Sequence, residues 1–579
     1  MSKRSKLPNQ VEQRIIRQCM EAILFEKLLP YEEYDLDEGW KQFIVQGPIS
    51  TYQCLGKRSA FDRVRLQGMP LKKDKGSQAI PTIDDLIGEA PLTHQQKQVL
   101  LHELKQTALL SEWNEQHLVP LRSRRELSYE QLEAALIEGH PYHPCFKART
   151  GFTLVDHQAY GNETNETFQL VWVGVKKEDV VTYYPEEEHS FLQKEFGHQT
   201  WKKVVEALCQ AGGQLYEYRL MPVHPWQWSY LKDEVLEDEL KTKDILYLGT
   251  YGDEYGASQS LRTLLNYSDL QKAHIKLPLH VMNTSSVRSI QSESIAAAAP
   301  ISLWLQAIVD QDSFFYKHGD VRILKEYAGA SYESGKNPRI KDQLNVLFRD
   351  SVTRQLKDGE EAIPFNALSM IENDGLLFID ACLKTHGKKA WLTQFINVSV
   401  LPIIHLCVEY GIALEAHGQN VILIQENGWP KGIMLRDFHE SLEYYEPYLR
   451  NKEAIPDFSS LHKQFQIGKV NDYYWMSSVE ALRELVVDTL FVYHLSELSW
   501  QLDVVYGFKE ESFWTIISKC LGNYRENNAL SKDRFDSFHF FSQVQATESL
   551  FRKKWQHHGA VQHLIQTGIR MEEAHLVTR

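Results

Sequence analysis

Hydrophobic residues recur at helical spacing near the start of the chain and again beyond residue 300, and they alternate in short runs between these regions. Residues 12–30 carry apolar side chains three and four positions apart, which predicts an opening amphipathic helix. Thr82, Thr93 and Ser128 each precede a further helical stretch and are candidate N-caps. Gly139 is expected to end the helix that begins after Ser128.

From 152 to about 290 the pattern is one of short β-prone runs separated by turn residues, which predicts a sheet. The runs are FQLVWVGV, VVTYY, LYEYRLMPVHPWQW, DILYLG, SLRTLL and IKLPLHVMN. Further along, VILI and IMLRDF flank the turn QENGWPKG, and this hairpin should bring Asn420 and Asp437 together. The apolar stretch 395–414 contains Pro402, His405 and Glu409, so we interpret it as a buried helix.

The length of 579 residues exceeds the roughly 250 to 300 at which a single core stops growing, so two or three domains are expected. The pattern divides the chain into a helical region at 1–127, a β-rich domain at 128–310 and a mostly helical region at 311–579. No internal repeat or low-complexity linker interrupts it. These features predict an α+β fold.

The net charge and the cysteines limit the classes of function that the chain can have. The net charge is −14 and the basic residues form no long patch, which argues against a nucleic-acid partner. Seven scattered cysteines form no CxxC pair, which fits a reducing cytosol and argues against structural zinc. We see no signal-peptide core and no membrane-length run of uncharged apolar residues, so a cytoplasmic protein without a membrane partner is expected.

The segment GHPYHPCFKARTGF at 139–152 has the residues of a phosphate clamp. His140, His143, Lys147 and Arg149 lie within ten positions, and Pro141, Pro144 and Gly151 constrain the backbone that presents them. Guanidinium, ammonium and imidazole groups held in this way bind phosphate oxygens well. The local cations of an acidic protein therefore suggest a small anionic ligand in a cleft.

The segment EAHGQN supplies Glu415, His417, Gln419 and Asn420 just before the predicted hairpin, which ends at Asp437. Hard oxygen ligands of this kind suit Mg²⁺, which is usually bound together with substrate phosphates. Alternatively, EAHGQN is only a polar loop between a helix and a hairpin. For an isolated motif the two interpretations are equal, and the presence of the clamp favours the metal site.

Two further runs place hydroxyl groups beside cations. In SLRT, an extended strand would put Ser260 and Arg262 on one face, with Thr263 at the strand end. In KLPLHVMNTSSVRSI, a strand that stayed regular would put Lys276, His280, Thr284 and Arg288 on one face, but the TSS run is expected to break that regularity. The alternative for each residue alone is an exposed strand charge.

In combination, HPYHPCFK, MPVHPWQ, SLRT, KLPLHV, EAHGQN and RDF resemble the NRPS-independent siderophore synthetases of the IucA/IucC (aerobactin synthetase) family, over about 139–440. The resemblance implies an ATP-dependent ligase that adenylates a carboxylate, usually of citrate or a citrate-derived acid. The acyl group then passes to an amine or hydroxyl, and the products are an amide or ester, AMP and pyrophosphate. It also implies a cupped-hand architecture with a helical thumb, β-rich fingers and a mostly helical, kinase-like palm with a FhuF-like C-terminal region.

The resemblance also implies roles for individual residues. ATP would be bound by His143, Lys147, Ser260, Arg262, Thr263, Lys276 and Gln419. Mg²⁺ would be held by Glu415, Asn420 and Asp437, and the substrate carboxylates by Thr284, Arg288 and His417. The catalytic residues would be Arg262, Lys276 and His417. The chain departs from the family pattern in a longer spacing between Thr263 and Lys276 and in Ser289, where threonine is commoner.

Other functions are compatible with parts of this pattern. HGQN, a hairpin and an aspartate also resemble small-molecule phosphotransferases, although no glycine-rich loop precedes them. An iron-siderophore handling protein would be expected to carry a CxxC iron-sulfur site, whereas the last cysteine, Cys520, is alone. A degenerate relative with a scaffold role is a third possibility. The short motifs leave the acid and the amine open, and family analogy suggests a homodimer.

Overall fold

The computed structural model describes residues 8–74, 77–119, 123–284, 286–527, 532–556 and 561–570, and it mixes helices and sheets as predicted. The opening helix α1 (Gln10–Phe25) begins at a capping box between Asn9 and Glu12. Its buried face includes Ile15, Cys19 and Ile23, at the predicted spacing. Residues 1–7, which bear on the signal-peptide expectation, lie outside the described residues.

The region 1–127 is not purely helical, because residues 31–79 form a six-stranded antiparallel sheet. In KQFIVQ, for example, buried and less buried residues alternate near the middle, as they do in a strand with one face on the core. This alternation explains why strands form in a region that was expected to be helical. The strands are β1 (Tyr31–Asp35), β2 (Lys41–Gln46), β3 (Thr51–Arg58), β4 (Val64–Leu66), β5 (Leu71–Asp74) and β6 (Ser77–Ala79).

Three predicted N-caps are confirmed. Thr82, Thr93 and Ser128 each accept a backbone N–H in a capping box at the start of α2 (Ile83–Gly88), α3 (His94–His117) and α4 (Tyr129–Ala135). The predicted end of α4 at Gly139 is four residues late. The chain leaves the helix after Ala135, which frees the Ile137 carbonyl to accept a hydrogen bond from Lys147 Nζ at 3.1 Å.

An eight-stranded antiparallel sheet forms the centre of the β-rich region, in the order β8-β16-β17-β12-β11-β10-β7-β9 when strands are numbered along the chain. Two of its strands lie beyond residue 310, so the sheet crosses the predicted domain boundary. The elements are α5 (Leu154–Tyr160), β7 (Thr167–Lys176), β8 (Val180–Tyr183), α6 (Glu188–Phe196), α7 (His198–Gln210), β9 (Tyr218–Val223), α8 (Pro225–Glu234), α9 (Glu237–Thr242), β10 (Ile245–Ala257), β11 (Thr263–Asn266), β12 (His274–Lys276), β13 (Leu279–Asn283), β14 (Ser286–Arg288), α10 (Ser292–Gln311), α11 (Phe314–Lys317), β15 (Asp320–Ile323), β16 (Glu326–Tyr332) and β17 (Asn345–Arg349).

The run LYEYRLMPVHPWQW is only partly a strand. Its second half enters α8, because His224 caps the helix by accepting the Trp226 N–H at 3.1 Å and Pro225 occupies the first helical position. The predicted strand therefore ends at Val223.

The predicted hairpin is present as β20 and β21, within a four-stranded sheet ordered β15-β21-β20-β18. The elements after β17 are α12 (Val352–Gln355), β18 (Glu360–Pro364), α13 (Asp380–His386), α14 (Lys388–Tyr410), β19 (Ile412–Leu414), β20 (Val421–Glu426), β21 (Trp429–Leu435), β22 (Leu442–Tyr444), α15 (Phe458–Leu461), α16 (Lys463–Ile467), α17 (Val479–Val486), a π-helix (Val487–Leu495), α18 (Ser496–Tyr506), α19 (Glu510–Asn527), α20 (Lys532–Ser537), β23 (Val544–Glu548), α21 (Arg552–Trp555) and β24 (Gln562–Gln566).

One hydrophobic core runs from Val11 in α1 to Ile569 near the end of the described chain. The predicted buried helix lies within it as α14, with Pro402 inside the helix. Among the described residues, α10 and α14 are long and apolar enough to cross a membrane, but 67% and 83% of their most apolar windows are buried in the fold. Their hydrophobicity is therefore used in internal packing.

Candidate active site

The side chains predicted from the sequence converge on one cleft of about 430 Å³. Those that line it are His140, His143, Lys147, Arg149, Ser260, Arg262, Thr263, Thr284, Arg288, Glu415, His417, Gln419, Asn420 and Asp437. Lys276 does not line it but lies directly behind Asp437, with Nζ 2.5 Å from Asp437 Oδ1. The 260–288 segment and the 415–437 segment therefore face each other across a shared cavity.

Ser260 and Arg262 lie in a turn before β11 and not in a strand, so the predicted common strand face is wrong. Leu261 between them has a φ of 66°, which is incompatible with an extended chain. The turn is fastened by Ser260 Oγ, which accepts the Thr263 N–H at 3.2 Å. Arg262 crosses the cleft to Glu440, with Nη2 2.5 Å from Oε2.

The chain from Lys276 to Arg288 is interrupted twice. The first break is at Pro278, which has no N–H to donate to a sheet ladder, and the second is a turn at Thr284, where the TSS run predicts one. Lys276 belongs to β12 of the large sheet, whereas Arg288 belongs to the separate β13–β14 hairpin. Thr284 lies at the tip of that hairpin with a φ of 58°. His280 stacks on Tyr230 with ring centroids 4.4 Å apart and does not line the cleft.

Behind the cleft, Lys276 is the centre of a buried polar network that the sequence did not reveal. Its Nζ lies 3.0 Å from His439 Nε2, and His439 Nδ1 lies 2.9 Å from the Glu326 carboxylate. Burial and then the nearby Arg262 lower the pKa of Lys276. Burial alone would raise the pKa of Asp437, but Lys276 and its other cationic neighbours hold that pKa well below its usual range.

Glu440 is a second acidic partner of this network. Burial opposes its ionisation, yet Arg262 and Lys276 lower the pKa of Glu440 to about 2. His439 and Glu440 directly follow the RDF motif, so the sequence RDFHE could have drawn attention to them. Glu326 gives no such signal, because it lies 111 residues before Asp437.

The two cations of the clamp segment, Lys147 and Arg149, are not free to bind a ligand, because each already has an acidic partner. Lys147 and Arg149 both pair with the buried Glu163, and Arg149 Nη1 lies 2.8 Å from Glu163 Oε2. Burial lowers the pKa of Lys147 to about 8 although Glu163 opposes that shift. The charge of Lys147 at the cleft wall is therefore already balanced by Glu163. Arg149 mainly holds the segment in place. His143 is 1% exposed, and its Nε2 has no hydrogen-bond partner among the described residues.

Internal hydrogen bonds give the 415–420 loop its shape. His417 Nδ1 accepts the Gln419 N–H at 3.1 Å, and Asn420 Nδ2 donates to the Glu415 carbonyl at 3.0 Å. Burial lowers the pKa of His417 to about 4, so the ring is neutral. With Nδ1 acting as an acceptor, the proton lies on Nε2, which is then a donor. The loop is tied to the π-helix by the Ala416 N–H, which donates to Thr489 Oγ1 at 3.0 Å.

Glu415, Asn420 and Asp437 fit a hard cation. Within the described part of the chain, no hydrogen bond or ion pair engages the Glu415 carboxylate or the Asn420 amide oxygen. Burial and then the charge of Asp437 raise the pKa of Glu415 to about 8, and a bound cation would lower that pKa again. Another cluster, Glu326, Asp437 and His439, has ligand atoms within 4.8 Å, but the Lys276 ammonium already contacts Asp437 and His439.

Comparison with known proteins shows which family this chain belongs to. A profile of the IucA/IucC family matches residues 128–370. The citryl-spermidine/3,4-dihydroxybenzoyl-citryl-spermidine:spermidine ligase of Bacillus anthracis is 34% identical, over 94% of this chain and 90% of its own length. The chain belongs to the IucA/IucC family. Aerobactin synthase of Escherichia coli, another similar protein, is 30% identical over 73% of each chain.

Solved structures agree with this assignment to the IucA/IucC family. Petrobactin biosynthesis protein AsbB of Bacillus anthracis str. Sterne superposes with a TM-score of 0.91 at 33% identity, covering 96% of this chain and 95% of that one. Aerobactin synthetase IucC of Klebsiella pneumoniae shares the fold, with a TM-score of 0.81 at 23% identity and coverage of 96% and 97%. The relatives are siderophore synthetases, and this supports a ligase.

A second profile, described as ferric iron reductase FhuF-like transporter, matches residues 389–563. In this IucA/IucC protein that segment contains the 415–420 loop, the hairpin and the π-helix. Its cysteines are Cys407 and Cys520, both buried and 113 residues apart in sequence, so it has no CxxC pair. The segment forms one wall of the cleft.

Proposed function

We propose that this protein is an ATP-dependent siderophore synthetase that adenylates a carboxylate of citrate or a citrate-derived acid and condenses it with an amine. The observation that carries the proposal is the cleft in which Arg262 contacts Glu440 at 2.5 Å, and in which Asp437 is contacted at 2.5 Å from behind by Lys276. Cations and carboxylates arranged in this way can accommodate both a polyphosphate and its counter-ion. The Bacillus anthracis relative, named as a spermidine ligase, favours a polyamine as the amine.

The cationic wall would bind the nucleotide. Arg262 has a planar fork of donors for phosphate oxygens, and the turn that carries it also presents the hydroxyls of Ser260 and Thr263. His143 offers its unpartnered Nε2, and Gln419 lies on the opposite wall. When ATP enters, Arg262 would exchange Glu440 for phosphate oxygens. Lys276 would stay behind Asp437 and orient that carboxylate.

Glu415, Asn420 and Asp437 would hold Mg²⁺, which when bound screens the triphosphate from the approaching carboxylate. These residues come from a loop and a hairpin end that face the cations. Asp437 remains ionised because of Lys276, so it is ready to bind a metal at neutral pH.

Thr284, Arg288 and His417 would hold the acid. Arg288 Nη2 donates to the Asn283 carbonyl at 3.0 Å, while its Nε is buried without a hydrogen-bond partner among the described residues. A guanidinium with a free edge can bind a carboxylate through two parallel hydrogen bonds. The His417 Nε2–H supplies a further donor.

The reaction then proceeds in two steps. A carboxylate oxygen attacks the α-phosphorus of ATP, and pyrophosphate leaves. The amine nitrogen attacks the acyl carbon, AMP leaves with the bonding electrons, and the amine loses a proton. Both steps place negative charge where Arg262 and Arg288 can stabilise it. Close positioning of the two substrates contributes the remainder of the acceleration.

The decisive experiment is an assay with ATP and Mg²⁺ across citrate, succinate and 2-oxoglutarate, with hydroxylamine to capture the activated acid. We expect hydroxamate, AMP and pyrophosphate with a citrate-type acid. Formation of ADP in place of AMP would establish the phosphotransferase alternative. Absence of nucleotide turnover with every acid and amine, in a folded protein, would favour a siderophore-handling or scaffold role.

The cytoplasmic location, the homodimer and the cupped-hand arrangement also remain part of the proposal. Light scattering coupled to size-exclusion chromatography would test the dimer, which predicts a mass of twice 67.3 kDa. A monomeric mass at assay concentration would refute it.

A further inference from the structure

The cleft has a second acidic wall that the adenylation step does not use. It is formed by the π-helix Val487–Leu495 and by the end of β23. Asp488, Tyr493, His494 and Glu548 from these elements line the cleft. A π-helix is rare in proteins and is frequently associated with functional sites. This wall and Glu415 line the same cleft.

Two side chains of the π-helix hold the backbone of Glu548. The Glu548 N–H donates to Asp488 Oδ2 at 2.7 Å, and the Tyr493 hydroxyl donates to the Glu548 carbonyl at 2.5 Å. Thr547 Oγ1 also donates to Asp488, at 2.6 Å. Because both backbone groups of Glu548 are fixed from one side, its carboxylate is presented to the cleft from a rigid support.

The negative charge of this wall exceeds the nearby positive charge. Glu548 pairs with Lys553, which is half exposed, so solvent weakens that pair. Burial and then the carboxylates of Glu484 and Glu548 raise the pKa of Glu443 to about 7. Burial likewise raises the pKa of Asp488 well above its usual range, although Thr547 and the Glu548 N–H oppose that shift. A cationic ligand would relieve this repulsion.

A buried ring nitrogen without a partner lies at the same wall. His494 is 5% exposed and lines the cleft, and its Nε2 has no hydrogen-bond partner among the described residues. Its Nδ1 faces Gly418 of the 415–420 loop. Burial lowers the pKa of His494 to about 3, so the ring is neutral. An unpaired nitrogen of this kind is costly unless a ligand satisfies it.

We propose that the wall of Asp488, Glu548 and His494 binds the amine substrate as an aliphatic polycation, with its distal ammonium against Glu548 and its N–H groups directed to His494. The inference rests on the proposed ligase function and identifies the chemical class of the nucleophile. It assigns amine recognition to the FhuF-like segment, whereas the phosphate-binding residues come mainly from the preceding 243 matched residues, 128–370. The amine would therefore approach the acyl group from the Glu415 side of the cleft.

The test compares Glu548→Gln and Glu548→Lys with the parent enzyme, using spermidine, propylamine and hydroxylamine as nucleophiles. We expect the KM for spermidine to rise roughly tenfold in Glu548→Gln and further in Glu548→Lys, because one ion pair is lost and then reversed. Propylamine, with one positive charge, should show a smaller rise. Capture of the acyl-adenylate by uncharged hydroxylamine and the KM for ATP should change less than about twofold.

Glu526→Gln is the matched control, because Glu526 also pairs with a lysine, Lys532, but lies outside the cleft. It should leave the spermidine KM at the parent value. Lys553→Met removes the ammonium that competes for Glu548 and should lower the spermidine KM. Hydroxamate formation with an unchanged spermidine KM in both Glu548 variants would overturn the inference while leaving the ligase intact. Failure of hydroxamate formation in the parent enzyme would instead overturn the proposed function.

Discussion

Four residues around the cleft, none of them glycine, have a positive φ: Arg149 at 36°, Leu261 at 66°, Thr284 at 58° and Asp437 at 73°. Each such conformation costs on the order of 1 kcal/mol or more and persists only where the surroundings impose it. Asp437 is held by Lys276, and Arg149 is held by Glu163. At these two positions an ion pair holds a backbone conformation that is otherwise unfavourable.

Arg288→Lys should raise the KM for the acid or lower turnover while leaving ATP binding nearly unchanged. Lysine keeps the charge but cannot form two parallel hydrogen bonds with a carboxylate, so a loss of about tenfold in kcat/KM for the acid is expected. Steady-state kinetics with each substrate varied in turn would measure this. Arg339→Lys, at an exposed position, is the control. Unchanged kinetics with the acid would exclude Arg288 from the acid pocket.

His417 has two roles that one substitution can separate. His417→Asn keeps a side-chain acceptor for the Gln419 N–H but removes the donor at Nε2. We expect a melting temperature close to that of the parent and a loss of acyl-adenylate formation of at least about a hundredfold. Differential scanning fluorimetry and the hydroxamate assay would report the two quantities. If the variant has a lower melting temperature than the parent and is active below that temperature, the role of His417 is structural.

The residues that could be predicted are those of short local motifs, such as Arg262, Arg288 and Asp437. Their partners could not be predicted, because Glu163, Glu326 and Glu440 are selected by the fold and not by sequence spacing. Lys147 illustrates the consequence. Its position in a cationic run is visible in the sequence, but its neutralisation by Glu163 depends on the turn that follows α5.

At the scale of elements, the contact between the π-helix and the 415–420 loop positions the residues proposed to bind Mg²⁺. Thr489→Val keeps the shape but leaves the Ala416 N–H without its acceptor, at a cost of about 1–3 kcal/mol. We expect the KM for ATP in the presence of Mg²⁺ to rise several-fold, with little change in the KM for the amine. Thr489→Ser restores the hydroxyl and should return the KM to near the parent value. Equal kinetics in both variants would show that the contact is unimportant.

Elements with strong periodicity or capping signals were predictable, including α1, the capped helices α2 to α4 and the β20–β21 hairpin. The SLR turn was not, because β-prone residues continue through it, and the break at Pro278 was missed although proline cannot donate to a sheet ladder. In each case the chain leaves the strand to place a cation at the cleft. Functional geometry overrides local propensity at these positions.

At the scale of the whole molecule, Glu26 connects the region around the opening helix to the C-terminal region of the fold. Its carboxylate accepts the N–H groups of Phe551 and Arg552, at 2.8 and 2.7 Å, and the hydroxyl of Tyr142 at 2.5 Å. The residue is fully buried at the end of α1. One side chain therefore connects the opening helix, the clamp segment and the C-terminal region.

Glu26 should make the stability of the fold pH-dependent. Burial raises the pKa of Glu26 to about 7, above its value in the unfolded chain. The folded state therefore holds the proton more tightly, so this contribution to stability is complete below about pH 4.5 and is lost as the pH rises through 7. Relative to Glu26→Gln, the parent should lose on the order of 2 kcal/mol between pH 5 and pH 8.

Urea unfolding of both proteins at several pH values would measure this difference. Glu38→Gln, at an exposed position, is the control and should follow the parent at every pH. A constant difference between the parent and Glu26→Gln across the range would contradict the prediction.

The four-stranded sheet has a consequence for how this architecture can be divided. Its strands β15 and β18 lie within residues 128–370, whereas β20 and β21 lie within 389–563, and every strand of the first pair bonds to one of the second. Cutting the polypeptide between these stretches would expose two strand edges on each piece, and such edges associate with other chains. The two stretches match different family profiles but share one sheet, so they are expected to fold together, and neither could be exchanged for that of another protein without disrupting this sheet.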